Sequence, residues 1–598
     1  MSRELPKRSE VNQADTWALE DMYPNLAAWE EDVAAARTLS LEIEAEKDEI
    51  TKSGPGLLAI LEKYMACSRK LNLTSNYAHR ASDVDTQEQK NLANARKIDS
   101  IAVEISSRLA FFEPLILELA DDRLESFYQE EPQLVPYRLC LEEIKRLKDH
   151  RLTPEMEALL ASAGEIQQAP GEIFSIFNNA DLQFPEIEDE NGVKIRITHG
   201  RFITLLNSPD RRVRKEAFAG LYKTYEQYRN TLATVYESQV KQLMFESRAR
   251  HYGSNLEAAV SANNISPLVY DNLLEAINEN MDKMYRYMQL RKKCLGLAEM
   301  HMYDIYVPMI SDVDKKIPYE EAKETVLQAL APLGSRYTEL VRQGFDSRWI
   351  DVYENEGKRS GAYSAGAYGV HPYVLLNYDG ILNDMFTLAH EMGHAMHSYF
   401  SNEAQPYCYS DYKIFVAEVA STCNEVLLIE HLLKNTTDKK ERAYLINHFL
   451  DSFRTTVYRQ TMFAEYEKIT NAMAESGESL TADVLKKVYY DLNVKYYGPD
   501  VVSDEEIGME WARIPHFYYD FYVYQYATGF SAAVAIARRI LKEGKPAVAD
   551  YMEFLRSGST RSPVELLKIA GVNMETKEPI QAALNVFAEL MDEMEQLI

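Results

Sequence analysis

Disulfide frameworks, zinc ribbons and membrane spans each leave marks that this sequence does not carry. Its five cysteines, Cys67, Cys140, Cys294, Cys408 and Cys423, are odd in number, widely spaced and include no C-x-x-C pair. They read as free thiols of a reducing compartment. No run reaches the roughly 18 apolar residues that a spanning helix needs. The opening residues, MSRELPKRSEVNQADTW, lack the apolar core of a signal peptide, so the expected location is cytoplasmic. Positive charge is in deficit: 65 Lys and Arg face 93 Asp and Glu, a net charge of −28. Such a surface repels phosphate backbones and anionic membranes, so neither nucleic acid nor a membrane is an expected partner. Glycine and proline are sparse, 24 and 21 in 598 residues, which leaves long stretches free to be helical. There is no low-complexity tract, and no repeat at a period of 20–50 residues that would signal a solenoid.

What is present is a large stock of apolar residues, 46% of the chain. A single core stops growing beyond roughly 250–300 residues, so at least two lobes are expected. Apolar residues recur three or four apart through 26–52, 56–80, 85–112, 113–127, 208–251 and 268–298, which predicts amphipathic helices. The pattern changes at 181–207, where apolar and polar residues alternate around Asn191-Gly192, a β-hairpin signal and a soft boundary near 185–200. A second irregular stretch, 351–380, is punctuated by Gly357, Gly361, Gly366 and Gly369. It ends in a short strand at 373–378, read as an edge able to pair with an extended peptide. Asp384 is the expected N-cap of a helix over about 385–400.

That helix contains His390-Glu391-Met392-Gly393-His394. Histidines at i and i+4 project from one helical face a turn apart and can share an ion at about 2.0–2.1 Å. Glu391, about 100° around the helix, lies beside the ion without binding it, suited to take a proton from water. The bland alternative is a helix with two unrelated histidines. A catalytic zinc needs a third protein ligand. His397, at i+7, lies about 10 Å along the axis from His390, too far for one ion, and reads as a packing residue. The expected third ligand is Glu418 on a following helix at about 411–434. There a bare carboxylate in an apolar run needs a partner, which a buried Arg or His would also supply. Glu425, two turns on, is placed to orient a ligand histidine.

A second cluster lies at 511–531. If the segment is helical, His516, Tyr519, Tyr522 and Tyr526 share a face at steps of three, three and four. Phenol and imidazole donors on such a row suit a developing oxyanion. The competing reading is an aromatic core stripe, although four polar-tipped rings would each need a partner.

These residues together resemble the M3 family of zinc metallopeptidases, within it the oligoendopeptidase F group. His390-Glu-Met-Gly-His394-Ala-Met-His397 matches the family's extended signature, and Glu418 with Ser421 its downstream glutamate motif. Gly361-Ala-Tyr-Ser resembles the glycine-rich segment before the metal helix. His516-Phe-Tyr-Tyr and Tyr522-Val-Tyr-Gln-Tyr526-Ala-Thr-Gly resemble its substrate-contacting region, and Thr16-Trp17-Ala-Leu-Glu-Asp the N-terminal segment of the group. The resemblance implies a mainly α, two-lobed, zincin-type metallopeptidase with a deep central channel and a few short β-strands near the site. An N-terminal helical lobe is expected over 1–195 and a catalytic lobe over 196–598.

The resemblance also implies one zinc ion per chain on His390, His394 and Glu418, with Glu391 as general base. Glu391, His516, Tyr522 and Tyr526 are the expected catalytic residues; Tyr519, Gly366, Tyr368 and His371 are the expected substrate contacts. The spacing of the tyrosines departs from better-known M3 peptidases, which leaves open whether Tyr519 or Tyr526 assists Tyr522. Short peptides are the expected substrates, cut internally, and no obligate protein partner is evident. A non-catalytic helical scaffold would purify without stoichiometric zinc. A carboxypeptidase would need a site for the terminal carboxylate, and none is identifiable in the sequence.

Overall fold

The computed structural model describes residues 5–310 and 316–598 as a mainly helical chain with seven short strands among the described residues. The strands are β1 (Glu186–Glu188), β2 (Lys194–Arg196), β3 (Met300–His301), β4 (Ile350–Asp351), β5 (Tyr363–Ala365), β6 (Tyr373–Leu375) and β7 (Val501–Val502). The predicted hairpin is β1 with β2, antiparallel, with Ile187 opposite Ile195 and Gly192 at φ 76° in the turn. Strands β3 and β7 pair in parallel.

The chain divides into two compact units, and neither is continuous in sequence. The first comprises Met1–Arg151, Lys315–His431 and Ile536–Gly571; the second comprises Leu152–Asp314, Leu432–Ala535 and Val572–Ile598. A lobe boundary near 195 therefore falls inside the second unit. Hydropathy patterning reports faces of helices, and no local signal marks a chain that leaves one core and later returns to it.

In the first unit, the N-terminal helices Leu26–Ala45, Gly54–Asp83 and Gln89–Leu109 pack through Trp29, Val33, Leu57, Leu61, Ile98 and Ile105 into a core that reaches Tyr373 and Leu375 of β6. Strand β6 is the middle of a three-stranded sheet, parallel to β4 and antiparallel to β5. The expectation that 373–378 is an open edge is thus corrected. Its three residues are buried with neighbours on both sides, as the continuous apolar run Tyr-Val-Leu-Leu befits. The edge strand on this side is β5, half-buried, which packs against the helix Leu382–Ala404.

The predicted helical run over 113–127 is interrupted at 119–120, between Phe112–Glu118 and Asp121–Glu130, and that over 268–298 between Asn278 and Met281. In the second unit, helices Arg211–Gln227, Arg229–Ala249, Arg459–Glu475 and Ala482–Tyr497 enclose a buried charge centre. The Glu510 carboxylate accepts from Arg459, Arg513, Tyr222 and Tyr489 at 2.6–3.1 Å. Burial alone would raise its pKa, but the Arg459 and Arg513 guanidinium groups outweigh burial and hold it at about 2.

Candidate metal and catalytic site

The histidine helix runs Leu382–Ala404. Asp384 is not its N-cap, which is Ile381, but sits two residues into the helix and reaches back. Its carboxylate accepts the N–H groups of Asp379 at 2.9 Å and Ile381 at 3.1 Å. An acidic group in the first turn serves the unpaired N–H groups from either position. Pro406 cannot continue the helix, which ends with the Gln405 N–H on the Ser401 carbonyl at 2.9 Å.

The glutamate helix runs Ile414–Asn435 and lies very close to the histidine helix. A Cβ on Gly393 would sit 2.5 Å from the Ser421 Cα and 2.7 Å from the Ala420 carbonyl, so only glycine permits this approach. Asn424 locks the pair by donating to the Ala389 carbonyl at 3.0 Å and accepting from the Tyr337 hydroxyl at 3.0 Å. The role of Gly393 was accessible in principle: an isolated glycine inside a helical pattern costs about 1 kcal/mol and asks for a packing reason.

The close approach delivers Glu418 to the two histidines. Its Oε2 is 3.3 Å from His390 Nε2 and 3.5 Å from His394 Nε2. One donor atom from each of the three residues falls within 4.8 Å of the others. The imidazoles are nearly perpendicular, at 82° with centroids 4.8 Å apart. His390 Nδ1 pairs with Glu425 Oε1 at 2.5 Å, and the Ser421 hydroxyl donates to Glu418 Oε2 at 3.3 Å. Burial would depress His390, but the Glu418 and Glu425 carboxylates hold it well above the usual imidazole range. Burial would likewise raise Glu418, but His390 and His394 hold it below the usual carboxylate range. Two imidazole nitrogens and one carboxylate oxygen are the donor set of a catalytic zinc, and a histidine tied through its other nitrogen to a carboxylate is the usual ligand arrangement.

Glu391 fits the neighbouring role. It is 6% exposed, and its Oε2 is a buried carboxyl oxygen without a protein partner. Burial raises its pKa, which favours proton uptake. His397 stands outside the donor set. Its ring stacks on Tyr412 at 3.7 Å and leans on Phe554 at 5.2 Å, and burial pushes its pKa down to about 3, so it packs as a neutral ring.

The expected substrate contacts of this unit separate into two kinds. Gly366 and Tyr368 line a cavity of about 390 Å³ beside the histidine helix. A Cβ on Gly366 would meet the Ser398 Cβ at 2.7 Å, so the glycine lets the chain after β5 lie directly on that helix. His371 is instead committed to structure. Its ring is stacked against Trp349 and Tyr373, its Nε2 faces Asp21 at 3.1 Å and its Nδ1 the Pro372 carbonyl at 2.8 Å. Neither nitrogen is left for a ligand.

In the second unit His516, Tyr519, Tyr522 and Tyr526 do converge, but not along a helix. Residues Pro515–Tyr518 form one 3₁₀ turn, the next helix begins at Tyr524, and Asp520 and Phe521 between them adopt left-handed φ of 47° and 59°. The reversal folds the segment back, so His516 lies 5.7 Å from Tyr519, 6.4 Å from Tyr522 and 5.8 Å from Tyr526 by ring centroid. The Tyr526 hydroxyl is 3.3 Å from His516 Nε2. Burial lowers the pKa of His516. The turn is pinned from outside: Glu467 Oε1 accepts the Phe521 N–H at 3.0 Å, and Gln239 donates to Asp520 Oδ1 at 3.0 Å. Sequence reasoning missed Glu467, Gln239 and the turn, because no Gly or Asn announces the positive φ.

A helical fold with a His-Glu-x-x-His helix, a carboxylate from a neighbouring helix as the third converging donor and a buried carboxyl beside them defines a metallopeptidase. Comparison with known proteins agrees. Residues 204–586 match the model of peptidase family M3, and residues 116–184 that of oligopeptidase F. The chain is 48% identical to oligopeptidase PepF of Bacillus subtilis, covering all of this chain and 89% of that protein. It is 41% identical to an oligoendopeptidase F homolog of Lactococcus lactis, covering 99% and 98%. Among solved structures, a Chlamydophila abortus peptidase superposes over both whole chains with a TM-score of 0.91 at 35% identity. Oligoendopeptidase-F from Enterococcus faecium matches with a TM-score of 0.75 at 38% identity, over 95% of this chain and 98% of that one. The chain belongs to peptidase family M3 and is a metalloendopeptidase of the oligopeptidase F type. No helix among the described residues is long and apolar enough to cross a membrane.

Proposed function

We propose that this chain holds one zinc ion between His390, His394 and Glu418 and hydrolyses internal bonds of short peptides, with Glu391 as general base. The carrying observation is the unpartnered Glu391 Oε2 beside the three converging donors. Zinc bound there supplies Lewis-acid chemistry, acidifying water and polarising a carbonyl. The chain's own groups do the rest. Glu391 takes a proton from the attacking water and returns one to the leaving amine, a role for which its burial-raised pKa suits it. Glu425 fixes the orientation of the His390 ring, and Ser421 that of the Glu418 carboxylate. His516, Tyr522 and Tyr526 are the groups whose hydrogen-bond donors suit an oxyanion, and Tyr519, 57% exposed, is the member of that cluster suited to contact substrate.

A short peptide is expected to lie along β5, the edge strand packed on the histidine helix, with Gly366 and Tyr368 beyond it. Relatives named oligopeptidase and oligoendopeptidase support the preference for oligopeptides. The five free cysteines fit a cytoplasmic setting.

The test is a comparison of wild type with Glu391→Gln on a panel of terminally blocked peptides, read by mass spectrometry together with metal analysis. The expected outcome is one zinc per chain in both proteins, internal cleavage by wild type, and a loss of roughly 10²–10⁴-fold in the variant. Cleavage at an unchanged rate would sink the mechanism, and cleavage restricted to unblocked C-termini would make the enzyme a carboxypeptidase.

A further inference from the structure

The cavity of about 390 Å³ beside the histidine helix has a chemistry of its own. Its wall takes Ser364 from β5, Gly366 from the chain just after it, Ser398 and Asn402 from the histidine helix, and Asp411 and Tyr412 from the segment leading into the glutamate helix. Ser398 lies four residues after His394, so the cavity opens about 6 Å further along the helix than the donor set. An extended peptide covers that distance in about two residues, at roughly 3.3 Å each. A chain paired with β5 that presents its carbonyl at His394 therefore passes the cavity one or two residues from the bond to be cut.

The lining mixes polar groups with Met65, Cys408 and tyrosine rings, and its charge is of one sign. Asp411 is its single charged group, and neither lysine nor arginine lines it. Arg69 stands over the ring of Tyr368 at 5.0 Å and is not part of the wall. The Asp411 carboxylate accepts through Oδ1 from the Tyr412 N–H at 2.9 Å, which leaves Oδ2 for a ligand. Ser398 and Tyr412 share a hydrogen bond of 3.0 Å that ties the segment before the glutamate helix to the histidine helix along the wall, and the buried Ser364 hydroxyl has no protein partner. A volume of this size accommodates one long side chain with its hydration water. A half-open wall that carries an exposed carboxylate and several hydroxyl and amide groups repels an acidic side chain and gains no hydrogen bond from an aliphatic one, while it pairs with an ammonium or guanidinium group.

We propose that this cavity is a specificity subsite for a lysine or arginine side chain of the peptide substrate, one or two residues from the scissile bond, with Asp411 as its counter-charge. The inference rests on the peptidase reading above and deepens it.

The test uses the full-length, zinc-loaded enzyme and internally quenched peptides that differ only in carrying lysine, norleucine or glutamate at each position within three residues of the cut. For wild type, kcat/KM for lysine over norleucine should reach about fivefold at one position and not at the others, as expected for a partly solvated ion pair. At that position Asp411→Asn should bring the ratio close to one, and Asp411→Lys should favour glutamate over lysine. A lysine preference that survives both substitutions, or no position favouring lysine in wild type, overturns the subsite. Those results are distinct from failure of the peptidase reading, in which no peptide of the panel is cut or Glu391→Gln cuts as well as wild type.

Discussion

In the histidine helix the reactive groups sit on successive turns of one regular element, whereas at 515–526 they are gathered by a break in regularity. His390, Glu391 and His394 owe their relative placement to the 3.6-residue period, and tertiary structure adds one neighbour, the glutamate helix, at a distance set by Gly393. His516, Tyr519, Tyr522 and Tyr526 owe theirs to two left-handed residues that a helix would not contain, held by Glu467 and Gln239. The first arrangement is stiff and tolerates no added volume at the helix contact. The second stores backbone strain, of order 1–3 kcal/mol per residue, which its surroundings must offset.

The sharpest way to break the first arrangement is Gly393→Ala. The new methyl meets backbone of the glutamate helix, which has no flexible side chain to move aside. Glu418 is displaced with it, and a misplacement of about 1 Å costs on the order of 10²-fold in rate. Activity should fall at least that far, with a loss of bound zinc by metal analysis; a fully active Gly393→Ala enzyme would show that the helix contact does not set the site. Glu425→Gln is milder. It keeps the shape but weakens the grip on His390, so zinc affinity measured by competition with a chelator should drop about 10–100-fold.

The second arrangement is probed through its pins. Burial holds the Glu467 carboxyl well above the usual range, which favours the neutral form that glutamine mimics. Glu467→Gln should keep the bond to the Phe521 N–H and be near neutral. Glu467→Ala orphans that N–H and should cost about 1–3 kcal/mol in the unfolding of its unit, by denaturant midpoint. If the aromatic cluster acts on the oxyanion, kcat falls in the alanine variant and recovers in the glutamine one, with little change in KM. Equal activity in both would mark the cluster as packing.

The smallest effect is expected at Asp520, whose pKa burial raises to about 6. The folded chain binds this proton more tightly than the unfolded chain does, so stability declines as pH rises from about 4 to about 6, and the deficit is complete above that. Asp520→Asn has no proton to lose. It should be more stable than wild type by about 1–2 kcal/mol at pH 8, allowing for partial exposure, with the advantage vanishing near pH 4. An advantage that does not vary with pH would assign the gain to the turn geometry rather than to the charge.

Legibility differed between these regions for a physical reason. Spacing along a helix is local information, so the histidine pair, Glu391 beside it, and the exclusion of His397 by distance could all be read without a fold. Glu418 was reachable because a carboxylate in an apolar run asks for a partner, and Glu425 because it lies two turns further along the same face. A strand was recognised at 373–378, of which only Tyr373–Leu375 forms one, but its place in the middle of the sheet depends on β4 and β5, which pair through contacts that leave little local trace. His371 resembled a ligand contact until Asp21, 350 residues away in sequence, occupied its ring nitrogen.

By itself the sequence determined the class of chemistry: helical periodicity placed two imidazoles and a carboxylate on one element. Only the tertiary structure decided how close the second helix comes, which strand is left at the edge, what lines the cavity beside Ser398, and that the aromatic segment reverses instead of running on as a helix. Those features depend on steric fit and hydrogen-bond partners hundreds of residues apart, and such pairings are fixed only when the chain has closed on itself.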